Sequence, residues 1–167
     1  AVRTRLGSDT AIVCCMSGNF VQRGEPAVAP RHLRAESALH GGADLVLELP
    51  LPWSLSSAEG FAQAAVTLLT STGVVTHLAF GAEDPDLDRL QVLADAALEK
   101  STIDATLEHL GTGIPYARAR ERALYARLRS EVELLRRPNN TLAIEYLKAL
   151  RSLQSGVQPI ALPREGA

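Results

Sequence analysis

Aromatic side chains are scarce in these 167 residues: three Phe, three Tyr and one Trp. They form no evident platform on which nucleobases would stack. Cysteine is scarcer still. Cys14 and Cys15 are adjacent, which excludes a disulfide framework and a cysteine-built metal site. That usage suits a reducing compartment, the cytoplasm, with the pair as inert packing in a strand. Long apolar runs are missing as well. Residues 11–16 and 45–53, the latter broken by Glu48, Pro50 and Pro52, fall well short of the ~20 residues a membrane helix needs. No secretory signal pattern and no internal repeat is present. His32, His40, His77 and His109 are too scattered to suggest a metal set.

What is present describes a globular protein. Hydrophobic residues make up 46% and charged residues 22%, which excludes disorder, collagen and coiled coil as whole-chain descriptions. The length predicts one domain, 1–167, with a core of its own. The net charge of −2 hides a split. Residues 83–113 carry two basic and eight acidic side chains, whereas 114–167 carry ten basic and five acidic. The basic part, helical over 114–153, hints at an anionic partner.

Four apolar segments with strand character, at 11–16, 44–49, 74–80 and 157–162, alternate with helical patterns. Pro30 opens one helix. Ser56 or Ser57 caps another, and Ser56 with Glu59 has capping-box spacing. Residues 86–100 and 102–110 read as acidic helices. A long helix is expected over 115–137, and Asn139 or Asn140 is expected to cap the next one after Pro138. Strands separated by helices predict an α/β fold, a parallel sheet covered on both faces. Ligands of such sheets bind outside the carboxyl ends of the strands.

The loop 17–26 is the richest in chemistry. Ser17, Gly18, Asn19, Gln22 and Arg23 combine a hydroxyl, close backbone approach, two amides and a guanidinium that would clamp phosphate or carboxylate. Gly81 closes the third strand, either to admit a nucleotide base or sugar, or because the backbone needs positive φ. Glu83 follows, as a ligand group or as an N-terminal charge for the acidic helix. Of Asn139 and Asn140, one suffices as a cap and the other is left for a ligand. On a continuous helix over 115–137, Arg118, Arg122, Arg129 and Arg136 fall in one stripe roughly 40° wide, suited to a phosphate backbone. The competing reading is a solvated face paired with Glu121, Glu131 and Glu133. Arg31, Arg34 and Glu36 read as a surface charge pattern. Glu48, among Leu and Pro, needs either a buried partner or a role in a site.

Several of these segments carry a resemblance, in order, along nearly the whole chain. They are Met16-Ser-Gly-Asn-Phe-Val-Gln-Arg-Gly-Glu-Pro26, Arg34-Ala-Glu36, Ala43-Asp-Leu-Val-Leu-Glu-Leu-Pro50, Ser57-Ala-Glu59, Phe80-Gly-Ala-Glu83, Pro138-Asn-Asn-Thr-Leu-Ala-Ile-Glu-Tyr-Leu147 and Pro159 to Arg164. Together they resemble the bacterial tRNA(Met) cytidine acetate ligase family. The resemblance implies a Rossmann-like, doubly wound parallel sheet of the nucleotidyltransferase and class I synthetase type, with additional helices. It implies an enzyme that uses ATP, with Mg2+, to activate acetate as acetyl-adenylate. The acetyl group then passes to the wobble cytidine of elongator tRNA(Met). Gly81, Asn139 and Arg164 match the family's ATP-contacting positions, and the loop from Ser17 to Arg23 would line the same cleft.

The family's His-x-x-His segment and its C-terminal helical region are not in these residues. The chain is therefore expected to be part of a longer protein, holding the middle of the site and not turning over by itself. Two other readings use the same residues: an adenylyltransferase acting on a small phosphorylated cofactor, and a non-catalytic nucleotide- or RNA-binding module.

Overall fold

Strand and helix alternate, and both ladders are parallel. In the computed structural model, which describes residues 1–22 and 24–164, β1 (Val13–Ser17) pairs with β2 (Leu45–Leu49), and β3 (His77–Ala82) with β4 (Gln158–Pro163). The chain falls into two compact units, Ala1–Thr76 and a second from His77 onward.

In the first unit, β1 and β2 are joined by α2 (Arg31–His40), so that Val13 lies beside Leu45 and Ser17 beside Leu49. Parallel neighbours need such a crossover. Pro30 precedes α2 at φ −52° and cannot itself continue a ladder. Gly42, at φ 100°, turns the chain from α2 toward β2. Arg3, in the short helix α1 (Val2–Leu6), locks this turn. It donates to the Gly42 carbonyl (2.7 Å), the Thr10 carbonyl (3.0 Å) and the Asp44 carboxylate (2.7 Å). α3 (Ala58–Ser71) buries Ala62, Ala65, Val66 and Leu69, one stripe at helical spacing. Its cap is Ser57, whose hydroxyl accepts from the Gly60 N–H at 3.3 Å. Ser56 makes no capping box, because its hydroxyl donates to the Trp53 carbonyl instead. The cysteines are half-buried and free. Burial, and then the neighbouring Cys14, push the Cys15 thiol up to about 11, which keeps it protonated and inert at neutral pH.

In the second unit, β3 and β4 run side by side from His77–Gln158 to Ala82–Pro163. β3 alternates, burying Leu78, Phe80 and Ala82 and leaving His77, Ala79 and Gly81 exposed. Phe80 stacks on Tyr146 of α7 (Pro138–Ser152), with ring centroids 5.7 Å apart. α4 (Leu87–Leu98) packs on α7 and buries Leu90, Leu93, Ala94 and Ala97. α5 (Lys100–Leu110) packs on α6 (Tyr116–Leu128). Beneath these helices lies a buried charge cluster. Glu145 accepts from Arg120 and from Lys148, the latter at 2.8 Å, and Arg120 also lies over the Tyr116 ring.

The long helix expected over 115–137 is not continuous. α6 stops at Leu128, Arg129 takes φ 42°, and residues Arg129–Arg136 form a 3-10 helix. Neither Gly nor Pro marks this break in the sequence. Val132 and Leu134 are buried, while Leu135, the position an uninterrupted α-helix would favour, is only half-buried.

Candidate functional site

The carboxyl ends of β3 and β4 lie side by side, and the N-terminus of α7 meets them there. Gly81 is next to Leu162 in the ladder, and the Arg164 N–H donates to the Ala82 carbonyl at 3.0 Å. Register alone thus brings Gly81 and Arg164, far apart in sequence, to one edge. Gly81 has no positive φ, and a side chain added to it would meet nothing within 4 Å. Backbone geometry and internal packing therefore do not explain the glycine. It leaves open space at the end of a parallel strand, where ligands of such sheets bind.

Glu83, two residues on, turns toward α7. One oxygen accepts from the Asn139 side-chain amide (2.7 Å) and the Asn139 N–H (3.2 Å), and the other from the Asn140 N–H (2.8 Å). The first N–H groups of a helix have no partner within it, and a carboxylate there is also favoured by the helix dipole. Neither asparagine caps its own helix, contrary to the sequence reading: Pro138 already occupies the first position of α7. Glu83 serves α7 and not the acidic helix α4, which is capped by Asp86. Burial pushes the Glu83 carboxyl up. The hydrogen bonds from the Asn139 side chain and from the Asn139 and Asn140 backbone outweigh it and hold the group below its usual value.

Asn139 then passes the contact on. Its side-chain oxygen accepts from the Arg164 guanidinium at 2.6 Å. Asn140 is fully buried; its side-chain oxygen accepts from the Asp84 N–H at 3.0 Å, and its amide nitrogen has no acceptor among the described residues. Glu83, Asp84, Asn140 and Arg164 line a pocket of about 550 Å³ together with Arg89, Arg136 and Arg137. Arg89 is held by Asp84 (2.5 Å) and by Glu131 (2.7 Å). The three residues expected to contact nucleotide thus share one edge.

The loop 17–26 belongs to the first unit. The Arg34 guanidinium donates to the carbonyl oxygens of Ser17 and Gly18, the second at 2.6 Å. Asn19 accepts from the Arg31 N–H at 3.3 Å, which places it at the start of α2. The Val21 N–H donates to Glu25, and Phe20 bridges Pro26, so the loop is a closed turn. Gln22 is half-buried. Arg23 lies outside the described residues. Arg31 and Arg34 are not merely a surface pattern: Arg34 holds the loop, and Arg31 pairs with Glu48 at 2.7 Å. Glu48 is itself solvent-accessible, so the buried acid expected in β2 is a surface ion pair closing over Gly18, where a Cβ would lie 2.3 Å from a Glu48 oxygen.

The four-arginine stripe does not exist as one surface. Arg118 and Arg122 are exposed one turn apart on α6. Arg129 and Arg136 lie on the 3-10 helix, whose ~120° per residue turns them about 120° away from each other. Arg136 pairs with Glu121 and borders the pocket. Glu131, read as an intrahelical partner, reaches across to Arg89 of α4. Among the described residues, no group of three His, Cys, Asp or Glu is placed to hold a metal ion.

Known proteins resemble this chain closely. The tRNA(Met) cytidine acetate ligase of Caldanaerobacter subterraneus is 47% identical over 160 residues, 93% of this chain and 40% of that protein. The protein of the same name from Clostridium novyi is 41% identical, over 97% of this chain and 42% of its own length. The chain spans about 40% of the length of the curated relatives it matches. Thermotoga maritima TmcAL bound with alpha-thio ATP superposes with a TM-score of 0.89 at 37% identity, covering 94% of this chain and 40% of that one. The apo form of the same protein gives 0.92 at 36% identity, over 99% and 41%. Residues 2–167 match the family model described as HIGH Nucleotidyl Transferase, and the chain belongs to that family.

Proposed function

We propose that the protein containing this chain is an ATP-dependent ligase that activates acetate and acetylates the wobble cytidine of elongator tRNA(Met). The observation that carries this reading is the convergence of Gly81, Asn139 and Arg164 at the carboxyl ends of β3 and β4. The names of the relatives and the alpha-thio ATP held by the Thermotoga maritima protein support it.

In this reading the open space beside Gly81 receives the uncharged nucleoside. The N-terminus of α7 is already occupied by Glu83, so it is not free to hold phosphate. The Arg164 guanidinium is anchored through one nitrogen by Asn139, and its other guanidinium N–H groups have no partner among the described residues, leaving them to meet the ligand. Acetate oxygen attacks the α-phosphorus and pyrophosphate leaves. The cytidine amine then attacks the acetyl carbon, AMP leaves, and the amine loses a proton. The chain's part is to fix the nucleotide so that attack is in line. Glu83 and Asp84 do not suit a protein-held magnesium ion, because Glu83 is bound to α7 and Asp84 to Arg89. Exposed Arg118, Arg122, Arg129 and Arg136 are the proposed tRNA contacts, now on two surfaces.

The test is ATP–pyrophosphate exchange by the full-length protein, with and without acetate, followed by acetyl transfer to elongator tRNA(Met). Acetate-dependent exchange and acetylcytidine are expected. Exchange that ignores acetate but requires a phosphorylated cofactor would replace this reading with the adenylyltransferase one. ATP binding without any exchange would leave a non-catalytic module.

A further inference from the structure

We propose that Glu83 is a positioning residue of the nucleotide site, acting on ATP through the side chains of Asn139 and Arg164. The inference rests on the nucleotide reading above and extends it to a residue that itself faces α7 and not the ligand.

The argument is one of hydrogen-bond polarity. A carboxylate only accepts and a guanidinium only donates. Asn139 stands between one of each. Its amide nitrogen donates to Glu83 at 2.7 Å and its oxygen accepts from Arg164 at 2.6 Å. Reversing the amide would set two acceptors together on one side and two donors on the other. The charge on Glu83 thereby selects one orientation of Asn139, and that orientation presents an oxygen to Arg164. The same carboxylate takes the backbone N–H groups of Asn139 and Asn140, which fixes where the amide is placed. Arg164 is exposed at the end of β4, and its side chain has no carboxylate partner among the described residues; the Asn139 oxygen is what holds it. A residue that merely capped α7 would need only the backbone bonds. The bond to the Asn139 side chain is the additional feature.

The experiment is a double-mutant cycle on the full-length protein, reading ATP affinity and thermal midpoint for wild type, Glu83→Gln, Arg164→Ala and the pair. Glu83→Gln can offer either an oxygen or an N–H to Asn139, so the orientation is no longer selected. We expect ATP binding about tenfold weaker in Glu83→Gln, the scale of one charge-assisted bond. In the Arg164→Ala background the same change should cost less than about twofold, because both act through one contact. Effects that multiply, or a lowered midpoint with unchanged ATP affinity, would overturn the proposal in favour of a structural cap. If Glu83→Gln does not fold, Glu83→Asp takes its place. It keeps the charge near α7 but is a methylene too short for the Asn139 amide, and the same two outcomes decide. If wild type binds no ATP, the nucleotide reading itself fails, and this inference with it.

Discussion

Gly81 and Glu83 stand two positions apart, and their substitution should separate ligand binding from stability. Gly81 faces open space without a special backbone angle. Gly81→Val should leave the thermal midpoint within about 2 °C of wild type, as expected of an exposed strand position. The same change should weaken ATP binding of the full-length protein at least about tenfold by filling the space. Calorimetric titration beside a melting curve reads both, and unchanged ATP affinity would remove Gly81 from the site. Glu83 has a pH signature of its own. Its carboxyl is held below the usual value in the folded state. Its contribution is therefore full above the carboxyl's unfolded value and is lost as pH falls through the lowered folded value. Urea unfolding of wild type and Glu83→Gln should show a stability gap at neutral pH that closes in acid. A gap independent of pH would mean that the charge is not what stabilises α7. From the sequence, Gly81, Asn139 and Arg164 were named as candidate ligand residues through motifs. The partner that orients Asn139 was not, because nothing local in Phe80-Gly-Ala-Glu83 says where the carboxylate points.

Among the elements, α6 and α7 show what a helical pattern hides. Both carry residues that look like surface charges, yet Arg120, Glu145 and Lys148 are buried together. Glu145 pairs with both Arg120 and Lys148. Glu145→Gln should destabilise the protein by about 3 kcal/mol, because the carboxylate paired with two buried cations loses its charge. Denaturant unfolding measures this, and a loss below about 1 kcal/mol would show that other groups or water satisfy them. The failed prediction of one helix over 115–137 has a related cause. Residues 128–131 contain no breaker, so propensity favours continuation. The helix stops where Glu131 engages Arg89 and where Val132 and Leu134 are buried. These are tertiary demands, and a run of neighbours does not encode them.

For the molecule as a whole, the basic final third is the feature to test. If Arg118 and Arg122 contact tRNA phosphates, Arg118→Ala and Arg122→Ala should each weaken binding by the full-length protein. Each should also reduce the slope of log affinity against log salt by about 1. Filter binding across a salt series measures this, and unaltered slopes would assign both arginines to solvent. Because the helix breaks, Arg129 and Arg136 need not behave like this pair. The alternation of strand and helix, the parallel pairing, the helix opening at Pro30 and a cap at Ser56 or Ser57 followed from the sequence alone, since periodicity and turn chemistry act over a few residues. Tertiary structure alone decided that Glu83 meets Asn139 across 56 positions, that Arg164 meets Asn139 across 25, and that Arg120 turns inward. Those contacts depend on the register of β3 with β4 and on which helix faces pack, long-range choices that no local pattern specifies.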